Sequence, residues 1–271
     1  MANIISIISS KGGTGKTTVA LNLAVALAEQ GEETLLVDTD PLGAIGLSLA
    51  RSETEWSGLT EILARDLEAE EALIETRLPA LSLLPRGRLD PLDVPLYEES
   101  LRQHSGLTEI LPALGKRFRH IIIDTPSGLG TTTRAALAVS DFVLLPLQAE
   151  SLSVRAITQT LRVLAHLKAL ENGALQLLGI LPTMVQLQQD ASFNIMRHIW
   201  ELLDGVLETY IPRSNIFAEA SEKGLPVSFL GGTNAPEALR FDMLATELLG
   251  IIQKLGGTTG GTDQRLQRQL V

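Results

Sequence analysis

The stretch that most constrains the fold is SSKGGTGKTT, residues 9–18. An apolar run at residues 4–9 predicts a buried strand before it. The apolar spacing over residues 17–30 predicts a helix after it, with Gly31 just past the helix end. Glycines let backbone N–H groups surround a phosphate, and a helix N-terminus adds a favourable dipole. The order strand, loop, helix therefore predicts a phosphate-binding loop, although Ser10 replaces the first glycine of the G-x-x-x-x-G-K-[ST] pattern.

Strands that alternate with helices organise the rest of the chain. Further strands are expected at residues 34–37, 120–123, 142–147 and 175–181, with one within 78–93 and short ones at 208–211 and 227–230. Helices are expected at residues 153–170, at 193–207 and from an N-cap at Asn234 to residue 255. This pattern predicts an α/β fold, with a mostly parallel twisted sheet flanked by helices on both faces. We expect a single domain over residues 1–255, followed by a flexible Gly/Thr linker and a short tail at 256–271.

Three aspartates follow predicted strands. Asp38 and Asp40 end one strand, and Asp124 ends the strand HIIID. The carboxyl ends of parallel strands meet at one edge of a sheet, where ligands bind in open α/β folds. Beside a phosphate-binding loop these acids predict a nucleoside triphosphatase, in which they support a metal or orient the attacking water. In such a site Lys16 contacts the β and γ phosphates, and the Thr17 hydroxyl ligates Mg²⁺.

Composition excludes several classes of site. The 271 residues include no cysteine, which excludes disulfides, iron–sulfur clusters and thiolate zinc sites and fits a reducing compartment. The chain has no apolar run near the 18 or so residues of a membrane span, and its N-terminus lacks the features of a signal peptide, so a cytoplasmic location is expected. The net charge of −10 argues against nucleic-acid binding over the whole surface. Any site for a polyanion is then a local patch.

The motifs resemble those of one family. KGGTGKTT (11–18), DTDP (38–41) and DTP (124–126) are similar to motifs of the deviant Walker A ATPases of the ParA/MinD family, and most similar to those of the short, partition-type ParA proteins. Segments 145–161, 179–184 and 211–227 resemble ParA as well, so the likeness extends over most of the chain. It implies a P-loop NTPase fold, slow ATP hydrolysis stimulated by a partner, and ATP and Mg²⁺ as cofactors.

The resemblance also implies roles for individual residues. Lys11 would reach across an ATP-sandwich dimer to the partner's nucleotide, where its ammonium offsets phosphate charge as an arginine finger does. Catalysis would depend on Lys11, Lys16 and Asp40, and Asp40 would position the water. Thr17, Asp38 and Asp124 would support Mg²⁺. The residues implied in nucleotide binding are Gly12, Gly13, Thr14, Gly15, Lys16, Thr17, Thr18, Pro212 and Arg213, the last two against the adenine.

Two positions depart from the family pattern. Leu42 stands where DxDPQG has its glutamine, and Ser127 stands where a second proline often follows DTP. Neither position is one of the expected phosphate or acid positions. We therefore still expect the protein to use ATP. The departures affect only its assignment to a subgroup of the family.

Two functions remain open at this point. The first is a positioning ATPase whose ATP dimer binds nucleoid DNA without sequence preference until a ParB-like or cargo adaptor protein stimulates hydrolysis. The second is a MinD-like switch at a membrane surface, which needs a basic amphipathic tail. The tail here has only Leu266, Leu270 and Val271 as apolar side chains, which is a weak anchor. We therefore expect DNA and not a membrane, and a metabolic kinase is a distant third.

The DNA hypothesis names its own candidates. Arg197 and Arg240 resemble positions where relatives have basic residues that contact DNA. The partners expected are a second copy of the chain, non-specific duplex DNA and the adaptor. The location expected is cytoplasmic and associated with the nucleoid.

Overall fold

The structure is a computed structural model that describes residues 2–49, 56–103, 106–231 and 235–256. The N-cap expected at Asn234 and nearly all of the expected linker and tail lie outside these ranges. The strands are β1 (Asn3–Ile7), β2 (Thr34–Asp38), β3 (Ile74–Glu75), β4 (Leu81–Leu84), β5 (His120–Asp124), β6 (Phe142–Gln148) and β7 (Gln176–Thr183). They form one sheet in the order β3-β4-β2-β5-β1-β6-β7. All neighbouring pairs are parallel except β3 and β4.

Helices cover both faces of this sheet, as expected for an α/β fold. They are α1 (Lys16–Glu29), α2 (Ala44–Leu49), α3 (Leu59–Leu63), α4 (Val94–Arg102), α5 (Leu107–Leu114), α6 (Thr131–Val139), α7 (Ser151–Leu170), α8 (Asp190–Leu202), α9 (Ile216–Lys223), α10 (Val227–Gly231) and α11 (Pro236–Gly256). A short 3₁₀ turn at Pro91–Asp93 leads into α4. The predicted fold class is therefore confirmed.

The central strands are apolar throughout because both of their faces are covered. On β5, Ile122 packs into the core that contains α1 and α11, whereas Ile121 and Ile123 pack into the core that contains α4, α5 and α6. Successive side chains of a strand point to opposite faces, so one continuous apolar run serves both layers. On the second face, β6 contributes Val143 and Leu145 to a core shared with α7 and α8.

The register of the sheet gathers the functional side chains at one edge. Asp38 of β2 lies directly opposite Asp124 of β5, and Ile7 at the end of β1 also lies opposite Asp124. The loop that follows β1 therefore emerges beside both aspartates. This edge is the carboxyl end of the parallel strands, where a ligand is expected.

The prediction of a short strand at residues 227–230 is wrong, because Val227–Gly231 forms helix α10. Its helical start is fixed by a distant partner, since the Val227 N–H donates to Asn22 Oδ1 on α1 at 2.9 Å. Val227 also packs with Ala220 and Ala238 in a small apolar cluster. A run of four apolar-rich residues does not distinguish strand from helix by its period, and here tertiary packing decides.

Residues 208–211 do not form a regular strand either. The backbone N–H groups of Glu208 and Thr209 donate to the carboxylate of Glu247 on α11, at 2.8 and 3.0 Å. Ile211 N–H donates to the carbonyl of Pro182. The segment is thus tied to α11 and to the end of β7 as an irregular connection. The helix expected at 193–207 begins earlier and ends earlier, as α8.

Within the described ranges, no helix is both long enough and apolar enough to cross a membrane.

Candidate functional site

The loop after β1 has the shape that its glycines predict. Residues 10–13 are exposed, and Gly13 and Gly15 have φ angles of 75° and 86°, in the left-handed region that glycine adopts without strain. Gly15 immediately precedes the first residue of α1. The Thr183 hydroxyl donates to the Thr14 carbonyl at 2.9 Å, which fixes the loop to the end of β7. A loop of this shape at the start of a long helix suits an anion.

Lys16 is the buried cation of this loop. Its side chain is 7% exposed, and its Nζ donates to the Ser127 hydroxyl at 3.0 Å. Burial lowers the pKa of the Lys16 ammonium below its ordinary value, while the carboxylates of Asp124 and Asp40 oppose that shift. The ammonium is therefore placed to offset negative charge on a group bound in the loop.

Asp38 and Asp124 form a buried pair of carboxyl groups. Burial raises the pKa of Asp38 to about 7, although the backbone amides of Ile45 and Asp40 hydrogen-bond to it and act in the opposite sense. Burial raises the pKa of Asp124 to about 8, and the Asp38 carboxylate adds to the shift. The Thr17 hydroxyl and the Lys16 ammonium lower the pKa of Asp124 by a smaller amount. A bound cation would stabilise the ionised forms of these two buried carboxyl groups.

The donor set fits Mg²⁺ bound together with a nucleotide. Both carboxylate oxygens of Asp124 are buried, and within the described residues neither has a hydrogen-bond partner of good geometry. The described part of the chain has no group of three or more His, Cys, Asp or Glu side chains that holds a metal unaided. Mg²⁺ typically takes one or two carboxylates and completes its shell with phosphate oxygens and water.

Asp40 lies at the open side of this pair. Its backbone N–H donates to Asp38 Oδ1 at 3.1 Å, and its own Oδ1 accepts from the Leu42 N–H at 2.9 Å. The side chain is half-buried, and Leu42 beyond it is exposed. Asp40 is thus held at the edge of the site, with one carboxylate oxygen engaged by the turn.

A cavity adjoins the loop on the side away from the aspartates. Its lining includes Gly15 and Thr18 as well as Pro212 and Arg213. Pro212 and Arg213, which the family resemblance assigns to the adenine, therefore lie beside the phosphate loop. The bridge between Val185 and Pro212 holds that segment beside β7.

Met184 also lines this cavity, and its backbone is unusual. Its φ of 55° is in the left-handed region, which is rare for a residue with a side chain. An Nη of Arg213 lies 3.8 Å from the Met184 sulfur. Strain of this kind is typical of ligand-binding segments, and no sequence pattern around Met184 indicates it.

Lys11 lies at the rim of the loop and not inside it. Its Nζ forms an ion pair with Glu150 Oε2 at 3.1 Å, and both side chains are 46% exposed. Glu150 also accepts a hydrogen bond from Gln148. The second lysine of the motif therefore points to a surface carboxylate at the start of α7.

Arg197 and Arg240, the candidate DNA contacts, lie outside the nucleotide cavity. Arg197 on α8 is 65% exposed and lies 3.8 Å from Glu201. Arg240 on α11 lies over the Tyr210 ring, 4.3 Å from its centroid, and donates to the Tyr210 hydroxyl at 3.1 Å. Arg197 is therefore free to move toward a ligand, whereas Arg240 is held in place by an aromatic ring.

Sequence reasoning missed two side chains in contact with the motif lysines. In the sequence, Ser127 differs from a family pattern but shows no link to Lys16, and Glu150 belongs to no motif. Their partners, Lys16 and Lys11, are 111 and 139 residues away in the chain. The only available signal was their position, because each follows shortly after the end of a strand next to β1.

Comparisons with known proteins identify the family. A family model described as an AAA domain matches residues 2–177. The chromosome partitioning protein ParA of Myxococcus xanthus is 35% identical over 234 residues, which cover 84% of this chain and 81% of that protein.

Two solved structures show the same fold. Cobyrinic acid a,c-diamide synthase from Mycobacterium smegmatis, with bound ADP and magnesium, matches with a TM-score of 0.77 at 29% identity, over 93% of this chain and 96% of that one. The cell division ATPase MinD from Pyrococcus furiosus matches with a TM-score of 0.72 at 29% identity, over 94% of this chain and all of that one. With the phosphate loop and the paired aspartates already in place, these matches show that the chain belongs to the ParA/MinD family of P-loop ATPases.

Proposed function

We propose that this positioning ATPase forms an ATP-sandwich homodimer, binds duplex DNA without sequence preference and is released when an adaptor protein stimulates hydrolysis. The cargo is a chromosome, a plasmid or a protein assembly that carries the adaptor. In this proposal the protein associates with the nucleoid while ATP is bound and leaves it after hydrolysis.

The placement of Lys11 is the observation that carries the proposal. A lysine that served its own nucleotide would lie inside the loop, as Lys16 does. Lys11 instead lies at the rim, half exposed, with a surface carboxylate as its partner. An exposed ion pair of this kind contributes little free energy, so exchange of Glu150 for a phosphate of a facing subunit costs little. Lys11 therefore acts in trans, as the deviant Walker A motif implies.

The remaining residues divide the chemistry of ATP hydrolysis among them. Residues 12–18 hold the phosphates, and Lys16 offsets the charge that develops on them. Thr17, Asp38 and Asp124 would hold Mg²⁺, which when bound neutralises phosphate charge. Asp40 positions the attacking water from the open side. The cavity lined by Pro212 and Arg213 takes the adenine, consistent with the ADP and magnesium held by the M. smegmatis structure.

Dimerisation explains how an acidic protein binds DNA. A chain of net charge −10 has little affinity for a polyanion as a monomer. A dimer carries two copies of Arg197 and Arg240 on one body, so the second contact becomes intramolecular and the overall affinity rises. Because the contacts are to phosphates, binding falls steeply with salt and does not depend on sequence.

A mobility-shift assay run beside liposome co-sedimentation tests this proposal. We expect the protein to shift duplex DNA with ATP and not with ADP. Arg197→Glu should weaken the shift about tenfold or more at low salt while ATP-driven dimerisation is kept. Glu201→Gln removes the carboxylate beside Arg197 and should strengthen the shift, which makes it a matched control of opposite sign. Liposome binding that requires ATP and is lost on deletion of residues 257–271, with no DNA shift, would replace DNA with a membrane surface.

A further inference from the structure

The Ser127 hydroxyl lies over the phosphate loop, between Gly12 and the end of the Lys16 side chain. Lys16 Nζ donates to it at 3.0 Å. On the other side, a Cβ placed on Gly12 would lie 3.5 Å from the same hydroxyl oxygen. Ser127 is exposed, so its hydroxyl faces the open loop while Lys16 beneath it is buried.

The segment around Ser127 is fixed firmly to β1. The Gly128 N–H donates to the Ser9 carbonyl at 2.9 Å, and the Thr125 hydroxyl donates to the Ile7 carbonyl at 2.8 Å. Gly128 has a φ of 96°, which lets the chain turn directly after Ser127. The Thr133 hydroxyl on α6 donates to the Gly128 carbonyl at 3.0 Å. The backbone that carries the Ser127 side chain is therefore held in place by hydrogen bonds on both sides of it.

Lys16 has competing partners on its other side. The carboxylates of Asp124 and Asp40 attract its ammonium. If the ammonium moved onto either one, it would leave the loop. On Asp124 it would occupy a carboxylate that the metal needs, and on Asp40 it would pair with the group that positions the water. The hydroxyl of Ser127 is neutral, so it accepts from one ammonium proton and leaves two for phosphate oxygens.

We propose that Ser127 is a positioning residue, which aims the Lys16 ammonium at the terminal phosphates and keeps it off the carboxylates of Asp124 and Asp40. It acts through Lys16 and does not need to touch the substrate. The inference rests on the assignment of Lys16 to the phosphates under the proposed function. It does not depend on DNA binding or on dimerisation.

Calorimetric titration of MgATP and MgADP into the intact protein tests the assignment. Ser127→Ala should weaken MgATP binding about tenfold, as expected for loss of a hydrogen bond to a charged group, and should weaken MgADP binding less. Ser127→Thr keeps the hydroxyl and should bind within about twofold of wild type. Ser221→Ala, an exposed serine on α9, is the matched control and should bind both nucleotides normally.

A double-mutant cycle shows whether Ser127 acts through Lys16. In a Lys16→Ala background the further change Ser127→Ala should cost nothing, because the group it positions is absent. Equal losses in both backgrounds, or a Ser127→Thr variant as weak as Ser127→Ala, would overturn the proposal. If Lys16→Ala binds too weakly to titrate, the comparison of Ala with Thr decides. A wild-type protein that does not bind MgATP, or a Lys16→Ala variant that binds it normally, would refute the nucleotide site itself, which is a different result from a silent Ser127→Ala.

Discussion

At the scale of single residues, the site contains buried carboxyl groups whose ionised forms are unfavourable when no cation is bound. Asp38 and Asp124 are buried side by side, and Asp124 has no good hydrogen-bond partner among the described residues. Ionised carboxylates in such a place are unfavourable without a cation. Without a ligand, protonation lowers this cost, because the pKa values of both carboxyl groups are raised. A bound metal would offset the cost of the ionised forms instead.

The free energy of unfolding of the nucleotide-free protein should fall as the pH rises from about 4 to about 8. Against an ordinary value of 3.8, the folded protein holds the pKa of Asp38 at about 7 and that of Asp124 at about 8. Between these values the folded state binds more protons than the unfolded state, so raising the pH favours unfolding. Urea unfolding in EDTA at pH 5, 6, 7 and 8 measures the slope.

Asp124→Asn should remove much of that slope and stabilise the nucleotide-free protein at pH 8 by on the order of 1–3 kcal/mol. The same change should weaken Mg²⁺-dependent nucleotide binding, which separates stability from function. Asp66→Asn, at an exposed position, is the control and should leave the slope unchanged. A variant at Asp124 with the wild-type slope would show that the pair is not the source of the pH dependence.

At the scale of elements, the sequence predicts those strands, helices and loops whose structure depends on a local pattern of residues. The central strands are runs of apolar residues buried on both faces, and the loop after β1 has glycines where left-handed φ angles are needed. The sequence could not predict α10 or the connection at residues 208–211, because Asn22 and Glu247 fix them from distant parts of the chain. Ser127 was missed for the same reason. Helices α2 to α6 are too short for the spacing of their apolar residues to indicate a helix clearly.

Two glycines on helices should respond oppositely to alanine. Gly224 ends α9 with a φ of 64°, and an added Cβ would lie 3.1 Å from the Leu49 carbonyl oxygen of α2. Gly224→Ala should therefore lower the free energy of unfolding by about 1–2 kcal/mol. Gly250 lies within α11 with no atom within 4 Å of an added Cβ, so Gly250→Ala should raise it by about 0.5–1 kcal/mol. Denaturant unfolding of both variants decides, and shifts of the same sign would contradict this account.

At the scale of the whole molecule, the two motif lysines lie in different surroundings, which under the proposed function gives them roles in different subunits. Lys16 is buried within its own subunit, and Lys11 is exposed at the rim. A monomer thus has a nearly complete binding site and an incomplete catalytic one. Under the proposed function, dimerisation would be a condition for hydrolysis as well as a means to gather DNA contacts.

Size-exclusion chromatography with MgATP should separate the roles of Lys11 and Asp40. Lys11→Ala should bind nucleotide and stay monomeric, because the contact across the dimer is lost. Asp40→Ala should form a dimer that persists, because assembly is kept while hydrolysis is lost. Lys16→Ala should be monomeric and should bind little nucleotide.

The exposed Lys11–Glu150 pair contributes little stability, so Lys11→Ala should unfold within about 0.5 kcal/mol of wild type. This unfolding measurement is the control that separates lost assembly from lost folding. Identical elution of the Lys11 and Asp40 variants would refute their separate roles.

One of the two backbone amides that donate to Asp38 links this carboxylate to helix α2. Ile45 at the start of α2 donates to Asp38 Oδ2 at 3.0 Å, and α2 packs against α9, whose Phe217 and Ala218 line the cavity beside the loop. The Ile45 amide therefore links the orientation of the Asp38 carboxylate to the start of α2. In the proposed binding mode, the metal end and the base end of a nucleotide would both lie next to elements that contact this six-residue helix. We therefore expect loss of the terminal phosphate to shift this helix, whose Leu47 side chain is exposed among the described residues.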